Sequence, residues 1–241
     1  INYFQITQKQ HLHHINRMRF NHKEQYLHIP ANTHKHLEII VINDCSTDEN
    51  YYQFDWTGIK IIHLIKNSRE VCGYPCPGYV RNQGLQQATG DYIAFCDDDD
   101  IWFSQKVELQ LKAMLTTKTQ MSCTDGLIGK GIYDSTKKYK INMRKYNLPK
   151  IRKKLHQQGC SLLDQGFPRI FTKELMSYHN CCITSSVIVS QTLVKQVRNF
   201  EHLRHSEDHD YWLRCLEHTN CVFVPEICFY YDANHGDGQH Y

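Results

Sequence analysis

Hydrophobic and polar positions along the chain switch between two periods. Residues 37–42, Leu-Glu-Ile-Ile-Val-Ile, are nearly continuous in β-branched side chains, as expected of a strand buried on both faces of a sheet. Residues 59–65 and 91–96 predict two more strands. Between them, Val80, Gly84, Leu85 and Ala88 share one face of a helix over 78–89, and Gly90 stops it. Ser104 is placed to cap a further helix whose stripe is Val107, Leu111, Met114 and Leu115. The order strand, strand, helix, strand, helix predicts an α/β fold with a Rossmann-like, mainly parallel central sheet flanked by helices.

Residues 116–170 lose this periodicity, and it returns at 182–189 as a strand. Ser190 then caps a helix carrying Leu193, Val194 and Val197. Trp212, Cys215 and Leu216 form the face of another helix, with Ser206 as its candidate cap. Residues 221–224 and 227–231 predict two late strands around Pro225. The first 36 residues are polar: residues 1–6 predict a short strand, Leu12, Ile15 and Met18 stand at helical spacing, and His11, His13 and His14 read as a solvated cluster.

Composition narrows the classes. The net charge of +3 gives no reason to expect a nucleic-acid partner. The 11 cysteines show no zinc-ligand spacing, and their odd number argues against a complete disulfide framework, so they are expected as reduced thiols packed as small core residues. No apolar stretch approaches the ~20 residues of a transmembrane segment, and no signal peptide is visible. The expected location is cytoplasmic, or peripheral to a membrane.

The chemistry concentrates at 93–102, where the run Ile-Ala-Phe-Cys ends in Asp97, Asp98, Asp99 and Asp100, followed by Ile-Trp. Four adjacent carboxylates repel one another, and a divalent cation is the natural partner. They stand at the carboxyl end of a predicted strand, where open α/β sheets bind ligands. Asp44 follows another strand in a turn of short polar residues. Arg81 falls in the first turn of its helix, where a cation opposes the dipole, which calls for a specific anionic partner. Glu207 and Asp208 open a later helix, where acids also suit the dipole. From Lys137 to Lys154 there are nine Lys or Arg and no Asp or Glu, with Tyr139 and Tyr146 interleaved. The default reading of that segment is a flexible solvated stretch, and the sharper one a contact surface for an anionic acceptor.

Four stretches together, residues 38–48, 81–84, 88–102 and 207–214, resemble the family-two glycosyltransferases of GT-A fold in content, order and spacing. The resemblance implies one GT-A domain over 1–241, with a nucleotide-sugar-binding half at 1–115. The acceptor-binding half, 116–241, carries a basic insert at about 130–170 that the resemblance does not cover. It implies a nucleotide-sugar donor, a UDP-sugar first of all, Mn²⁺ or Mg²⁺, inversion at the anomeric carbon, and a glycan, glycolipid or protein acceptor. Asp44 resembles the nucleobase contact, and Arg81 the neighbour of base and phosphates. Asp97 and Asp99 match the acids of the DxD motif, with Asp99 the foremost metal ligand and Asp98 directed to the ribose. Asp208 resembles the catalytic base, Glu207 its reserve, and His235 a late metal ligand. Three features depart from the family. No Pro-x-Tyr-Asn-like turn follows residues 1–6, Asn43 stands where an aspartate is usual, and Cys45 stands where glycine is usual.

Two other readings use the same residues. A nucleotidyltransferase would add a glycine-rich phosphate loop with a lysine near the chain start, and none is found. A sugar-binding GT-A domain without activity would be expected to have lost the acids or the base, and both are present.

Overall fold

The computed structural model describes residues 3–9, 37–47, 49–53 and 55–234. Strands β1 (Tyr3–Lys9), β2 (Leu37–Asn43), β3 (Lys60–His63) and β4 (Tyr92–Asp97) pair in parallel in the order β3-β2-β1-β4. The short strand expected at residues 1–6 is β1, which runs on to Lys9, and its backbone is paired along both edges at the centre of this half. The histidine cluster and the helical spacing at 12–18 lie outside the described residues.

The sheet continues through β5 (Ile101–Trp102), β6 (Met121–Gly129), β7 (Lys140–Ile141), β8 (Ile170–Phe171), β9 (Ile188–Ser190) and β10 (Cys221–Asp232). It is mixed, which corrects the expectation of a mainly parallel sheet. β6 and β10 pair in parallel, but β9 runs antiparallel to both β4 and β6, and β5, β7 and β8 are antiparallel to their neighbours. After β6 the chain makes a long excursion and re-enters the sheet from the end at which β6 left it, so its return strand opposes the strands it meets. The expected strand at 182–189 is a 3₁₀ turn, Thr184–Ser186, followed by the short β9. The two late strands are one: β10 runs through Pro225 with a shift of register between Val224 and Ile227, because proline has no N–H for the ladder.

Side chains alternate across the sheet with the period of two that strands impose. In β4, Ile93 and Phe95 enter one core, and Ala94 and Cys96 the other. Phe95, Phe200, Tyr211 and Trp212 form an aromatic block, with Phe200 stacked on Tyr211 at 3.8 Å and edge-on to Phe95 and Trp212. All four are buried, and truncating one such ring costs about 3–5 kcal/mol. The block fixes the helix Glu207–Cys215 against the sheet.

Two helix starts differ from expectation: Ser206 precedes its helix with φ 59° and no side-chain capping bond, and Ser104 does not cap its own. The helix Lys106–Thr117 is preceded by Gln105 without a side-chain cap, and the Ser104 hydroxyl donates to the Gln105 amide oxygen at 3.5 Å. Its inner face takes Lys106 and Gln110, leaving Leu115 exposed. Ser190 does cap its helix, its Oγ accepting from Leu193 N at 3.0 Å. All eleven cysteines are free thiols.

Candidate functional site

The central strands end together. The register pairs Lys9 of β1 with Asn43 of β2, and Gln8 with Asp97 of β4, so Asp44 and the acidic turn follow from one carboxyl edge of the sheet. In the turn at 97–100, Asp100 N donates to Asp97 O at 3.1 Å, and Ser185 Oγ accepts from Asp97 N at 2.9 Å. Asp98 and Asp99 are half-buried. Asp100 is buried; its Oδ1 accepts from Asp232 N at 3.0 Å, while its Oδ2 has no hydrogen-bond partner among the described residues. Burial first, then the charges of Asp99 and Asp97, hold the Asp100 carboxyl well above the usual range.

Arg81 stands on the helix Pro77–Gln87, which starts with proline at its first position, where no N–H is required. Its two anionic partners both lie further along the chain, one near and one distant. Nη2 lies 3.0 Å from Asp97 Oδ1 and Nη1 2.7 Å from Glu207 Oε1. Burial alone would weaken the guanidinium's hold on its proton, but Asp97, Glu207 and Asp208 outweigh it. Next to it, Asn82 clamps the backbone of Phe200 from both sides, with Nδ2 to O and Oδ1 from N, each at 2.8 Å. Gly78 permits this approach, since a Cβ there would lie 2.9 Å from Glu201 O and 3.3 Å from Glu207 Cγ.

Glu207 and Asp208 therefore do different things. Glu207 is buried in its ion pair with Arg81. Asp208 Oδ2 accepts from Asn180 Nδ2 at 2.9 Å, and Oδ1 from His209 N at 2.7 Å. Burial, and secondarily Glu207, raise its pKa, against the opposing pull of Arg81 and these two hydrogen bonds. Asp44 is also buried, and its carboxylate accepts from Ser68 N at 2.7 Å and Ser68 Oγ at 2.6 Å. Ser68 Oγ in turn accepts from Cys76 N at 3.3 Å, the residue that opens the Arg81 helix. Cys45, where the resemblance has glycine, has φ 58° and donates its Sγ to Leu64 O at 2.9 Å. His235 lies outside the described residues.

The structure thus brings Arg81, Asp97, Glu207 and Asp208 into one cluster, with Asp98 and Asp99 on the adjoining turn. It adds Ser68, Asn180 and Ser185, single polar residues that no local motif marks. It also adds Lys106, fully buried, 2.6 Å from Gln110 Oε1 and 4.3 Å over the Trp102 ring, with its pKa pushed down by burial to about 7. Its inward position is legible only in the spacing of Lys106 and Gln110 with Ala113 and Met114. Cys123, Cys182 and Cys221 bring their sulfurs within 4.8 Å of one another in the core.

The sequence model of the family "Glycosyl transferase family 2" matches residues 23–176, more than half of the chain. The chain belongs to glycosyl transferase family 2. It is 38% identical over 104 residues to the Escherichia coli UDP-Glc:alpha-D-GlcNAc-diphosphoundecaprenol beta-1,3-glucosyltransferase WfaP, covering 42% of this chain and 38% of that one. It is 35% identical over 98 residues to the Bacillus subtilis putative teichuronic acid biosynthesis glycosyltransferase TuaG, covering 38% of this chain and 36% of that one. In fold it is similar to S. aureus TarS 1-349 in complex with UDP-GlcNAc, with a TM-score of 0.63 at 16% identity, over 98% of this chain and 60% of that one. The matches to WfaP and TuaG thus span less than two-fifths of either curated relative. Among the described residues, no helix is long and apolar enough to cross a membrane.

Proposed function

We propose that this chain transfers a glycosyl group from a UDP-sugar to an acceptor hydroxyl, with inversion at the anomeric carbon and a divalent cation at the acidic turn. The observation that carries the reading is the Arg81 bridge. One buried guanidinium ties Asp97 of the acidic turn to Glu207, the immediate neighbour of Asp208, so the two acidic stations belong to one cluster. The similar proteins support the donor: WfaP is named for UDP-Glc, and TarS 1-349 forms a complex with UDP-GlcNAc. The WfaP name also supports a lipid-linked saccharide as acceptor.

The donor atoms fit a hard cation. Asp97, Asp98 and Asp99 offer carboxylate oxygens on a single turn, and that turn also holds the orphaned Oδ2 of Asp100. Asp97 and Asp99 would hold Mg²⁺ or Mn²⁺, which, when bound, supplies positive charge to the diphosphate. Asp44 would contact the nucleobase and Asp98 the ribose. The acceptor hydroxyl attacks the anomeric carbon, and Asp208 takes its proton. The bond from that carbon to the diphosphate oxygen breaks, and its electron pair leaves on UDP. Burial makes Asp208 a stronger base than an ordinary aspartate, while Asn180 and Arg81 favour its ionised form. In this reading residues 1–115 serve the donor and 116–241 the acceptor.

The test is UDP release from a panel of UDP-sugars with Mn²⁺, beside calorimetric binding of UDP. Asp208→Asn is expected to lower transfer by about 10³-fold and leave UDP binding intact. Asp99→Ala is expected to abolish both transfer and the metal dependence of UDP binding. Full activity in Asp208→Asn rejects the base, and UDP binding indifferent to metal in the wild type rejects the cation site.

A further inference from the structure

The segment at 137–154, with its nine cations and no acid, is not a flexible stretch. It forms a π-helical turn, Asn142–Asn147, and the helix Leu148–Gln157. Ile151 and Leu155 are buried in the main core. Arg144 Nε donates to the fully buried Asp125 at 2.8 Å, and Arg152 Nε to Leu163 O at 2.9 Å. Anchored from below, the segment leaves Lys140, Lys145, Lys150, Lys153 and Lys154 exposed.

Two of the cations, from separate stretches, converge on one ring. Lys150 Nζ lies 3.6 Å and Lys140 Nζ 5.7 Å from the centroid of Tyr146, which is itself 36% exposed. The phenol's pKa is lowered by its hydrogen bond with Lys150 and then by the charges of Lys150, Lys140 and Lys130. Among the described residues, no carboxylate lies within salt-bridge distance of Lys130, Lys140, Lys150, Lys153 or Lys154. A rigid group of like charges without internal counter-ions is relieved by an anion from outside. Apolar groups flank the segment: Ile132, two residues from Lys130, is 47% exposed, and Leu162, next to the Leu163 whose carbonyl accepts from Arg152, is 45% exposed. A lipid interface accommodates cations and apolar side chains together, whereas a soluble polyanion answers only the charge.

We propose that this face docks on the surface of an anionic phospholipid bilayer. The face also adjoins the candidate base. Lys154 is close enough to His179 to help lower its pKa, after the larger effect of burial, and the next residue, Asn180, holds Asp208. Docking would therefore set the acceptor side of the cluster against the membrane, where a lipid-linked saccharide is found. That orientation rests on the proposed reaction; the binding itself does not.

Co-sedimentation of the purified chain with vesicles tests it, comparing phosphatidylcholine alone with phosphatidylcholine containing one third phosphatidylglycerol. Binding is expected to the second only, and to weaken with added salt. The variant Lys140→Gln/Lys150→Gln/Lys153→Gln is expected to lose about fivefold per lysine, on the order of a hundredfold in all. A charge-matched control, Lys60→Gln/Lys112→Gln/Lys195→Gln, is expected to bind as the wild type does. Equal binding to both vesicles, or equal loss in both variants, overturns the proposal. So does binding to dextran sulfate without binding to either vesicle, which would assign the face to a soluble polyanion. These readouts need no turnover, so their failure leaves the reaction to its own assay.

Discussion

Arg81 lies 3.0 Å from one carboxylate and 2.7 Å from another, with almost no surface in water. Lys150 lies over a tyrosine ring, exposed, with no carboxylate in reach among the described residues. Both belong to dense charge clusters, and the difference between them is where the opposite charge comes from. At the acidic turn the counter-ion is built into the fold, which fixes the positions of Asp97 and Glu207 and leaves Asp98 and Asp99 on the turn beside them. On the basic face the fold supplies the platform and leaves the counter-ions to the surroundings. An internal counter-ion defines geometry, and an external one defines a partner.

Removing cations one at a time separates these two designs. Arg81→Met strips the bridge from Asp97 and Glu207 and leaves buried charge uncompensated, so a loss of about 3–5 kcal/mol is expected in denaturant unfolding. The deficit should shrink as pH falls, because protonation removes the uncompensated charge. A loss under about 1 kcal/mol would mean that the bridge contributes little to the fold. Arg144 is intermediate, since it is partly exposed while its partner Asp125 is fully buried. Arg144→Ala leaves Asp125 the amides of Gly126 and residue 144, and a loss of about 1–3 kcal/mol is expected.

The internal network should also tune the proposed base, Asp208. Asn180 donates to the charged form of Asp208, so Asn180→Ala destabilises that form and raises a pKa that is already high. The acid limb of the kcat/KM profile should move up by about one pH unit. A purely structural role for Asn180 would lower the rate at every pH and leave the limb where it was.

How far these features could be read from the sequence depends on their range. Residues 37–42 and 91–96 announce strands because burial on both faces demands consecutive apolar side chains. Asp97, Arg81 and Glu207 each stand out locally, by strand end or helix start. Their mutual contact joins positions 81, 97 and 207, and no local pattern encodes it. β6 was hidden because Ser122, Thr124 and Asp125, all buried, break its apolar run. The antiparallel strands β5, β7, β8 and β9 have two or three residues each, too few for a periodicity. In the basic segment, nine charges obscured the one apolar pair, Ile151 and Leu155, that makes the helix part of the core.

The smallest effect sets the floor of the comparison. Lys137 does have a partner, Asp134, at 3.6 Å, but the two side chains are 67% and 39% exposed. The low pKa of Asp134 comes first from its hydrogen bonds to Thr136, with Lys137 adding only a smaller part, so the carboxylate does not depend on the lysine. Water and salt screen such a pair, and the entropy of fixing two mobile side chains offsets most of its attraction. Lys137→Gln should therefore melt at the wild-type temperature at both low and high salt, while Arg81→Met melts far lower at either. If Lys137→Gln were clearly destabilised at low salt, the ion pairs of the basic face would be holding that segment in place. The distinction between counter-ions inside the fold and counter-ions outside it would then fail for this surface.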